Sequence, residues 1–166
     1  MSPINVYGAS KLRGEELVLN NDPSSIIIRT SWVYSSYGNN FVKTMLRLMK
    51  ERDEVNVVDN QFGSPTYAYD LASAIMDVID KDDEHTGIYN YCNEGITTWY
   101  EFARAIKKIT KSECKIHPVP ASQYPTPAKR PGYSVLDTRK IKETFGLKIA
   151  KWKDALQRCL ALIEEN

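Results

Sequence analysis

Pro23-Ser24-Ser25-Ile26-Ile27-Ile28-Arg29-Thr30-Ser31 contains three successive β-branched residues, with a proline before them and polar residues after them. A short apolar run of this kind is typical of a strand buried on both faces, as in a parallel sheet. The preceding segment, from Ile4 to about Asn20, has the pattern of a helix, which Asn21-Asp22-Pro23 ends. A helix followed by a buried strand indicates an α/β fold.

Helical and strand-like patterns alternate through the rest of the chain. Thr98 is predicted to cap its helix together with Glu101, and Gly146 to end the penultimate helix. Five prolines between His117 and Pro131 predict an ordered loop or a mobile lid, without helix or central strand. The further predicted elements are a helix opened by residues 38–40, helices over 70–79, 98–109, 138–145 and 152–164, and strands over 55–58 and 87–92.

The composition suits one domain with a real core, because the chain has 166 residues, of which 42% are hydrophobic. Lys plus Arg (22) nearly balance Asp plus Glu (21), and this balance argues against nucleic acid or an anionic membrane as a partner. The three cysteines and two histidines show no metal-ligand spacing. We therefore expect a reduced, cytoplasmic, metal-free protein without a membrane span.

Tyr7 and Lys11 are the candidate catalytic residues. Positions i and i+4 lie on one face of a helix, so a phenol and an ammonium can address the same small volume. The ammonium stabilises the phenolate, and a phenol so placed can protonate a carbonyl oxygen as hydride reaches the carbon. The spacing by itself is weak, because a chain of this composition gives about one Tyr-x-x-x-Lys by chance.

The glycines do not form the turn that binds a dinucleotide. They stand at positions 8, 14, 38, 63, 87, 95, 132 and 146, so neither Gly-x-Gly-x-x-Gly nor Gly-x-x-Gly-x-x-Gly occurs, and no strand precedes the first helix. The part of the site that would cradle a pyrophosphate is not in these 166 residues.

Several segments together resemble one family. Val6-Tyr7-Gly8-Ala9-Ser10-Lys11-Leu12, Arg29-Thr30-Ser31-Trp32, Gln61-Phe62-Gly63-Ser64-Pro65-Thr66 and Tyr124-Pro125-Thr126-Pro127-Ala128 are similar to the C-terminal portion of the dTDP-4-dehydrorhamnose reductases. That family belongs to the extended short-chain dehydrogenases/reductases. The resemblance implies that residues 1–166 are a single fragment of a Rossmann-like α/β fold. It would hold the catalytic helix, a late Rossmann strand and the substrate-binding region, and lack the N-terminal NAD(P)-binding strands.

The same resemblance implies roles for residues near the cofactor. Tyr7 would donate the proton, and Lys11 would hydrogen-bond the nicotinamide ribose of NADPH or NADH. Arg29, Thr30 and Ser31 follow the predicted strand, and their backbone would meet the carboxamide, since ligands bind at the carboxyl ends of such strands. The sequence does not choose between the two cofactors.

Other matching positions imply contacts with a nucleotide-sugar substrate. Trp32 would cover the apolar side of the deoxyhexose with an indole face, although an ordinary core tryptophan is the alternative. Asn40 and Phe41 would meet a phosphate or the thymine, although Asn40 equally suits a simple N-cap. Gln61 would shape the wall, and Arg130 would bind the diphosphate, with a solvated arginine as the alternative.

Tyr69, which Asp70 follows, stands where some family members carry a glutamate that helps to hold magnesium at a dimer contact. This departure argues against a magnesium-linked dimer. We expect the fragment to be inactive alone, and its exposed first helix to cause self-association, for example as a homodimer, or to shift.

Two alternatives to a reductase stay open. One is an epimerase or 4,6-dehydratase of the same superfamily, against which Trp32 and segment 124–128 argue. The other is a non-catalytic regulatory subunit of methionine adenosyltransferase, which resembles the same family and would co-purify with its synthetase.

Overall fold

A computed structural model describes residues 3–81, 85–124 and 130–164. The helices are α1 (Val6–Asn21), α2 (Phe41–Glu51), α3 (Ala68–Lys81), α4 (Trp99–Thr110), α5 (Arg139–Phe145) and α6 (Trp152–Glu164), and Ala121–Gln123 form a 3₁₀ turn. The strands are β1 (Ile26–Arg29), β2 (Val33–Tyr34), β3 (Glu54–Val58), β4 (Phe62–Gly63), β5 (Thr66–Tyr67), β6 (Gly87–Asn90), β7 (Thr97–Thr98) and β8 (Lys115–Val119). The predicted α/β alternation is confirmed.

The strands of the described residues pair in twos. β1 pairs with β6, β2 with β5 and β3 with β8, all in parallel, whereas β4 and β7 are antiparallel. The predicted parallel pairing of the isoleucine strand is therefore confirmed. Its predicted burial on both faces is wrong, because all four residues of β1 are only half-buried. The helix that Arg29 joins to this strand, α1, has no fully buried residue, and Leu12 and Leu19 on its Glu15 face are only half-buried.

Two apolar clusters form the core. The larger cluster joins α2, β3, α4 and α6, with Phe102, Ile106 and Leu156 fully buried at its centre. The smaller one joins α3, β6 and α5 around Ile141 and Phe145. The large cluster fixes the start of α2 against the start of α4, and these two helix ends border the groove described below.

Local signals account for most helix ends. The Asn5 side chain accepts from the Gly8 amide at 2.7 Å and begins α1. Thr98 caps α4 as predicted, accepting from the Glu101 amide at 3.1 Å, whereas the Glu101 carboxylate bonds Arg104. Gly146 has φ +63° and ends α5 as predicted, since that backbone conformation suits glycine.

The proline-rich prediction for residues 117–131 is wrong at its start. Pro118 lies in β8 opposite Val57. Among the described residues β8 pairs on one side only, and a proline that lacks an amide donor is tolerated at such an edge. Residues 125–129, which include most of the predicted Tyr-Pro-Thr-Pro-Ala segment, lie outside the described residues. No helix of the described ranges combines the length and apolarity needed to cross a bilayer.

Candidate substrate groove and catalytic helix

An open groove of about 740 Å³ lies between α2, β3, the first residue of α4 and the 3₁₀ turn. Its apolar side includes Phe41, Leu48 and Val57, and its polar side includes Gln61 and Arg130. A groove of this size suits a nucleotide-sized ligand, since small-molecule sites span roughly 300–1,000 Å³. The mixed lining offers apolar surface for a ring and cationic donors for a phosphate.

The structure brings three of the predicted substrate residues together. Phe41 is the first residue of α2, Gln61 precedes β4, and Arg130 follows the undescribed segment, yet all three line the same groove. Their contacts with substrate stay predictions. Tyr124, which is 59% exposed, and Thr44 line the groove as well.

Asn40 has a structural role instead of a free side chain. Its carboxamide oxygen accepts from the Lys43 amide at 3.2 Å, and its nitrogen donates to the carbonyls of Ser35 and Tyr37. The N-cap alternative is therefore what the structure shows. The Asn40 nitrogen is engaged by two carbonyls and the oxygen by one amide, and a contact of this side chain with a phosphate or thymine stays a prediction.

Trp32 is half-buried and has a neighbour on each face of its ring. Its ring stacks on Trp99 with centroids 3.6 Å apart and planes at 12°. A Cβ built on Gly63 would lie 2.5 Å from Cε2 and 2.6 Å from Cζ2 of Trp32, so the Gly63 backbone lies over the same ring. A parallel ring at 3.6 Å leaves no room for a carbon atom on its side, which places Gly63 on the opposite face.

Trp32 is thus a layer between Gly63 and Trp99. Trp99 stacks on one face of the indole and the Gly63 backbone lies over part of the other, and the contact of Trp32 with the sugar stays a prediction. The backbone holds the layer in place: Trp32 has φ +50°, its carbonyl accepts from the Thr66 amide at 3.2 Å, and the neighbouring Ser31 hydroxyl donates to the Ser64 carbonyl at 2.9 Å.

The spacing between Gly63 and Trp99, which the Trp32 ring fills, follows from the register of β4 and β7. β4 and β7 pair with Phe62 opposite Thr98 and Gly63 opposite Thr97, and Trp99 comes directly after Thr98. One strand therefore carries the glycine on one side of the indole, and its partner leads into the tryptophan on the other side. The close approach of Gly63 to the Trp32 indole was not predicted from the sequence, because it depends on the pairing of two distant strands.

Tyr7 and Lys11 lie on one face of α1, as the spacing predicts. The Lys11 ammonium is 5.4 Å from the centre of the Tyr7 ring, and Tyr7 is 69% exposed. Neither residue lines the groove. The Tyr7 and Lys11 side chains lie on the exposed surface of α1, where a ligand can reach them.

An ion pair joins α1, which carries the predicted catalytic residues, to β1. The Arg29 guanidinium donates to both oxygens of the Glu15 carboxylate, at 2.7 Å and 2.5 Å. The hydrogen bonds and charge of Arg29 lower the pKa of Glu15 although burial opposes the shift. The side chain of Arg29 is thus committed to holding α1 at the carboxyl end of the strand.

Thr30 and Ser31 connect that strand end to the next segment. Arg29 is the last residue of β1, so only these two follow the strand as predicted. The Thr30 hydroxyl donates to the Thr66 hydroxyl at 3.1 Å, and both residues stay near the edge where ligands of parallel sheets bind. Their backbone contact with a carboxamide stays a prediction.

Asp70 belongs to a buried polar network. Its carboxylate accepts from Arg158 at 2.5 Å and 2.6 Å and from the Asn93 amide at 2.7 Å. Asn93 is fully buried and also binds the Tyr67 amide and the Ala150 carbonyl. The carboxylate therefore ties α3 to α6, and among the described residues no cluster of His, Cys, Asp or Glu forms a metal site.

A second, larger groove of about 1420 Å³ lies between α4 and α6. Lysines at positions 107, 108, 111 and 153 border it, but none of the predicted site residues does. We therefore regard the smaller groove as the candidate site, because chemistry predicted from distant parts of the sequence converges there.

The parallel β1–β6 pair, with the Tyr-x-x-x-Lys helix held against β1, defines a late part of an extended short-chain dehydrogenase/reductase fold. Comparison with solved structures gives the same class. The structure of dTDP-glucose 4,6-dehydratase from Bacillus anthracis in complex with NAD is similar with a TM-score of 0.81 and 19% identity, over 100% of this chain and 54% of that one. At that identity the likeness concerns the fold alone.

The chain belongs to the family described as the RmlD substrate binding domain, which matches residues 1–164. It is 43% identical over 172 residues to the dTDP-4-dehydrorhamnose reductase of Aggregatibacter actinomycetemcomitans, covering 98% of this chain and 58% of that protein. The Bacillus anthracis dTDP-4-dehydrorhamnose reductase, solved in complex with NADP, has a TM-score of 0.90 at 40% identity, over 97% of this chain and 56% of that one. The chain thus spans a little over half the length of these relatives.

Proposed function

We propose that this chain is the substrate-binding and catalytic-helix part of an NAD(P)H-dependent dTDP-4-dehydrorhamnose reductase, which converts dTDP-4-dehydro-L-rhamnose to dTDP-L-rhamnose. The observation that carries the proposal is an intact Tyr7 and Lys11 pair on one exposed helix face, in a chain 43% identical to a reductase of that name. The superfamily epimerases and dehydratases share its fold at only 16–19% identity.

The chain's own residues supply the proton. The Tyr7 phenol donates its proton to the oxygen of the C4 carbonyl, so that the carbonyl becomes a hydroxyl. The nicotinamide cofactor, when bound, supplies the hydride that reaches C4. The Lys11 ammonium, on the same helix face, stabilises the phenolate that remains and is placed to hydrogen-bond the ribose of the cofactor. Water then returns a proton to Tyr7.

The groove binds the nucleotide part of the substrate in this proposal. Arg130 offers a fork of donors to the diphosphate, and Gln61 and Phe41 line the same space. Trp32 stacks on Trp99, which lines this groove, and its contact with the sugar stays part of the proposal. A nucleotide diphosphate carries two negative charges or more, so an arginine at the groove has an evident partner.

The sequence contains residues suited to the nicotinamide end of a dinucleotide site but not the glycine-rich turn that binds the pyrophosphate. Tyr7, Lys11, Thr30 and Ser31 lie where the nicotinamide end would bind, whereas no glycine-rich turn for the pyrophosphate occurs in the sequence. We therefore propose that residues 1–166 alone do not turn over substrate. All three cysteines are unpaired and buried, which supports a reducing, cytoplasmic setting.

Self-association of the isolated chain also stays a proposal. Val6, Leu17 and Val18 of α1 are exposed, and so are Met76 and Ile79 of α3. Apolar surface on two helices favours association through these faces. Magnesium is not part of this proposal, because Arg158 and Asn93 occupy the Asp70 carboxylate.

The test joins residues 1–166 to the amino-terminal half of the Bacillus anthracis reductase and follows NADPH absorbance. We expect stoichiometric NADPH consumption with dTDP-4-dehydro-L-rhamnose. An epimerase would instead interconvert its sugar without net consumption, since it regenerates its cofactor in each cycle. Consumption by residues 1–166 alone would contradict the proposed division of the site, and sugar isomerisation without NADPH loss would contradict the reductase.

A further inference from the structure

The helix α1 is joined to the rest of the structure by one ion pair. None of its residues is fully buried, and Leu12 and Leu19, on the same face as Glu15, are only half-buried. Among the residues that the structure describes, the Glu15–Arg29 pair contains the only side-chain hydrogen bonds between α1 and another element. Apolar contact is not directional, so this pair defines the orientation of the helix.

The Glu15–Arg29 pair is ordered by its geometry and its burial. Nε and Nη2 of Arg29 donate to the two carboxylate oxygens of Glu15, and a two-point contact between planar groups restricts rotation as well as distance. The two side chains are 25% and 17% exposed, whereas those of the Arg13–Glu16 pair within α1 are 64% and 49% exposed. Exposed pairs are weak because water screens them and both side chains move. The Glu15–Arg29 pair is therefore the better defined of the two.

The strand side of this pair is itself fixed. Arg29 is the last residue of β1 and lies opposite Asn90 in the parallel ladder with β6. Its carbonyl accepts from the amide of the buried Tyr91 at 2.8 Å. Residues 30–31 follow directly, so the guanidinium holds α1 at the strand end where ligands of parallel sheets bind.

Glu15 lies on the side of α1 that carries the proposed catalytic residues. Tyr7, Lys11 and Glu15 are spaced by four positions each, so they follow one another along the helix. At about 1.5 Å per residue, Tyr7 lies about 12 Å from Glu15 along the helix axis. A tilt of about 5° at Glu15 would therefore move Tyr7 by about 1 Å. A displacement of about 1 Å in a reacting group can cost about a hundredfold in rate.

We propose that Glu15 and Arg29 are positioning residues for the proton transfer by Tyr7. Their ion pair sets the distance and direction of α1 relative to the end of β1, and hence the place of the Tyr7 phenol relative to the carbonyl that it protonates. Neither residue lines the groove, and both act through Tyr7 and not on the substrate. The inference rests on the proposed function and adds to it the two residues through which the sheet holds the proton donor.

The test measures turnover in the polypeptide that joins residues 1–166 to the amino-terminal half of the Bacillus anthracis reductase. Glu15→Ala, Arg29→Ala and the double variant should each lower kcat by about tenfold or more and by the same factor, because all three remove the same link. The KM for dTDP-4-dehydro-L-rhamnose should stay within about twofold, since neither residue lines the groove. Glu16→Ala is the matched control. It removes the neighbouring negative charge and breaks only a pair within α1, so kcat should be unchanged.

Turnover is expressed per dTDP-binding site, counted by calorimetry. A purely structural role would remove folded sites without slowing those that remain, whereas a positioning role keeps the sites and slows each one. Losses of kcat that multiply in the double variant would overturn the proposal, because they would mean that the two residues act through separate contacts. A kcat per site within about twofold of the unaltered protein in Glu15→Ala would overturn it as well.

Amide hydrogen exchange of the 166-residue chain tests the link between α1 and β1 without turnover. Glu15→Ala should speed exchange in α1 by about fivefold or more and leave α4, which packs in the larger core cluster, unchanged. Unchanged exchange in α1 would contradict the proposal. If the unaltered joined polypeptide consumes no NADPH, the proposed function is wrong, whereas the exchange result still decides whether the pair holds α1.

Discussion

Gly63→Ala tests the layered packing that sets the groove wall. The added Cβ would lie 2.5 Å from Cε2, 2.6 Å from Cζ2 and 2.9 Å from Nε1 of Trp32, whereas carbon atoms pack at about 3.5–4.0 Å. The indole must therefore move by about 1 Å. Trp99 already lies at contact distance on its other side, so the movement must displace both rings or separate the strands.

The expected cost is about 1–3 kcal/mol in the free energy of unfolding, the usual range for overpacking a well-packed site. Urea denaturation measures it, and near-UV circular dichroism reports whether the tryptophan stack is perturbed. Gly14→Ala is a matched control, because no atom lies within 4 Å of a Cβ there and Gly14 is inside α1. That control should stabilise the chain by up to about 1 kcal/mol.

The reasoning also predicts rescue. Trp32→Leu in the Gly63→Ala background should recover part of the lost stability, since the smaller side chain leaves room for the new methyl group. A Gly63→Ala variant within about 0.5 kcal/mol of the wild type, with an unchanged aromatic spectrum, would refute the layered arrangement, because that is the usual range of a surface substitution.

Three further predictions concern the rest of the chain. The ion pair with Arg29 lowers the pKa of Glu15 below 4.5, so this pair stabilises the fold above that pH and is lost as pH falls through the lowered pKa. Glu15→Gln should therefore flatten the acid side of a plot of the free energy of unfolding against pH. An identical plot for the variant would contradict a stabilising Glu15–Arg29 pair. Asn93→Leu leaves the Tyr67 amide and the Ala150 carbonyl without their buried partner and removes one donor from Asp70, which keeps Arg158. It should lower the free energy of unfolding by about 3 kcal/mol, as urea titration would show. A loss under about 1 kcal/mol would argue against that network. Burial raises the pKa of Cys159 to about 11. A thiol reagent at about pH 8 should therefore react with Cys159 only as fast as the chain unfolds. Rapid labelling of Cys159 in the native protein would contradict this prediction.

Elements set by local chemistry were predictable from the sequence. The last helix, Trp152–Glu164, has the predicted bounds, the Thr98 cap forms, and Gly146 takes the left-handed conformation expected of a helix end. Each of these features depends on residues within one or two turns, so the sequence pattern carries the information.

Features set by long-range contacts were not predictable in the same way. The sequence predicts that Pro118 interrupts a strand. It is nevertheless tolerated in β8, because that strand pairs on one side only among the described residues. The sequence predicts that the isoleucines of β1 are buried on both faces of the strand. They are half-buried, and α1 has no fully buried apolar residue. Both errors concern what lies next to a strand, which a local pattern does not contain.

In the candidate site, too, some features were predictable from the sequence, and others depend on long-range contacts. Family resemblance placed Phe41, Gln61 and Arg130 near a substrate, and the structure puts them around one groove. The stacking order of Gly63, Trp32 and Trp99 depends on the β4–β7 register and on the absence of a side chain at Gly63. No spacing within the sequence indicates which of two tryptophans 67 positions apart lines the groove.

The most direct measurement of the central claim is the turnover of Tyr7→Phe in the polypeptide that joins residues 1–166 to the amino-terminal half of the Bacillus anthracis reductase. The substitution removes one hydroxyl from a 69% exposed side chain, so folding should be unaffected. The account predicts that kcat with dTDP-4-dehydro-L-rhamnose falls by about a hundredfold or more, while NADPH and dTDP bind as in the unaltered protein. Turnover within a few-fold of the unaltered protein would contradict the assignment of Tyr7 as the proton donor.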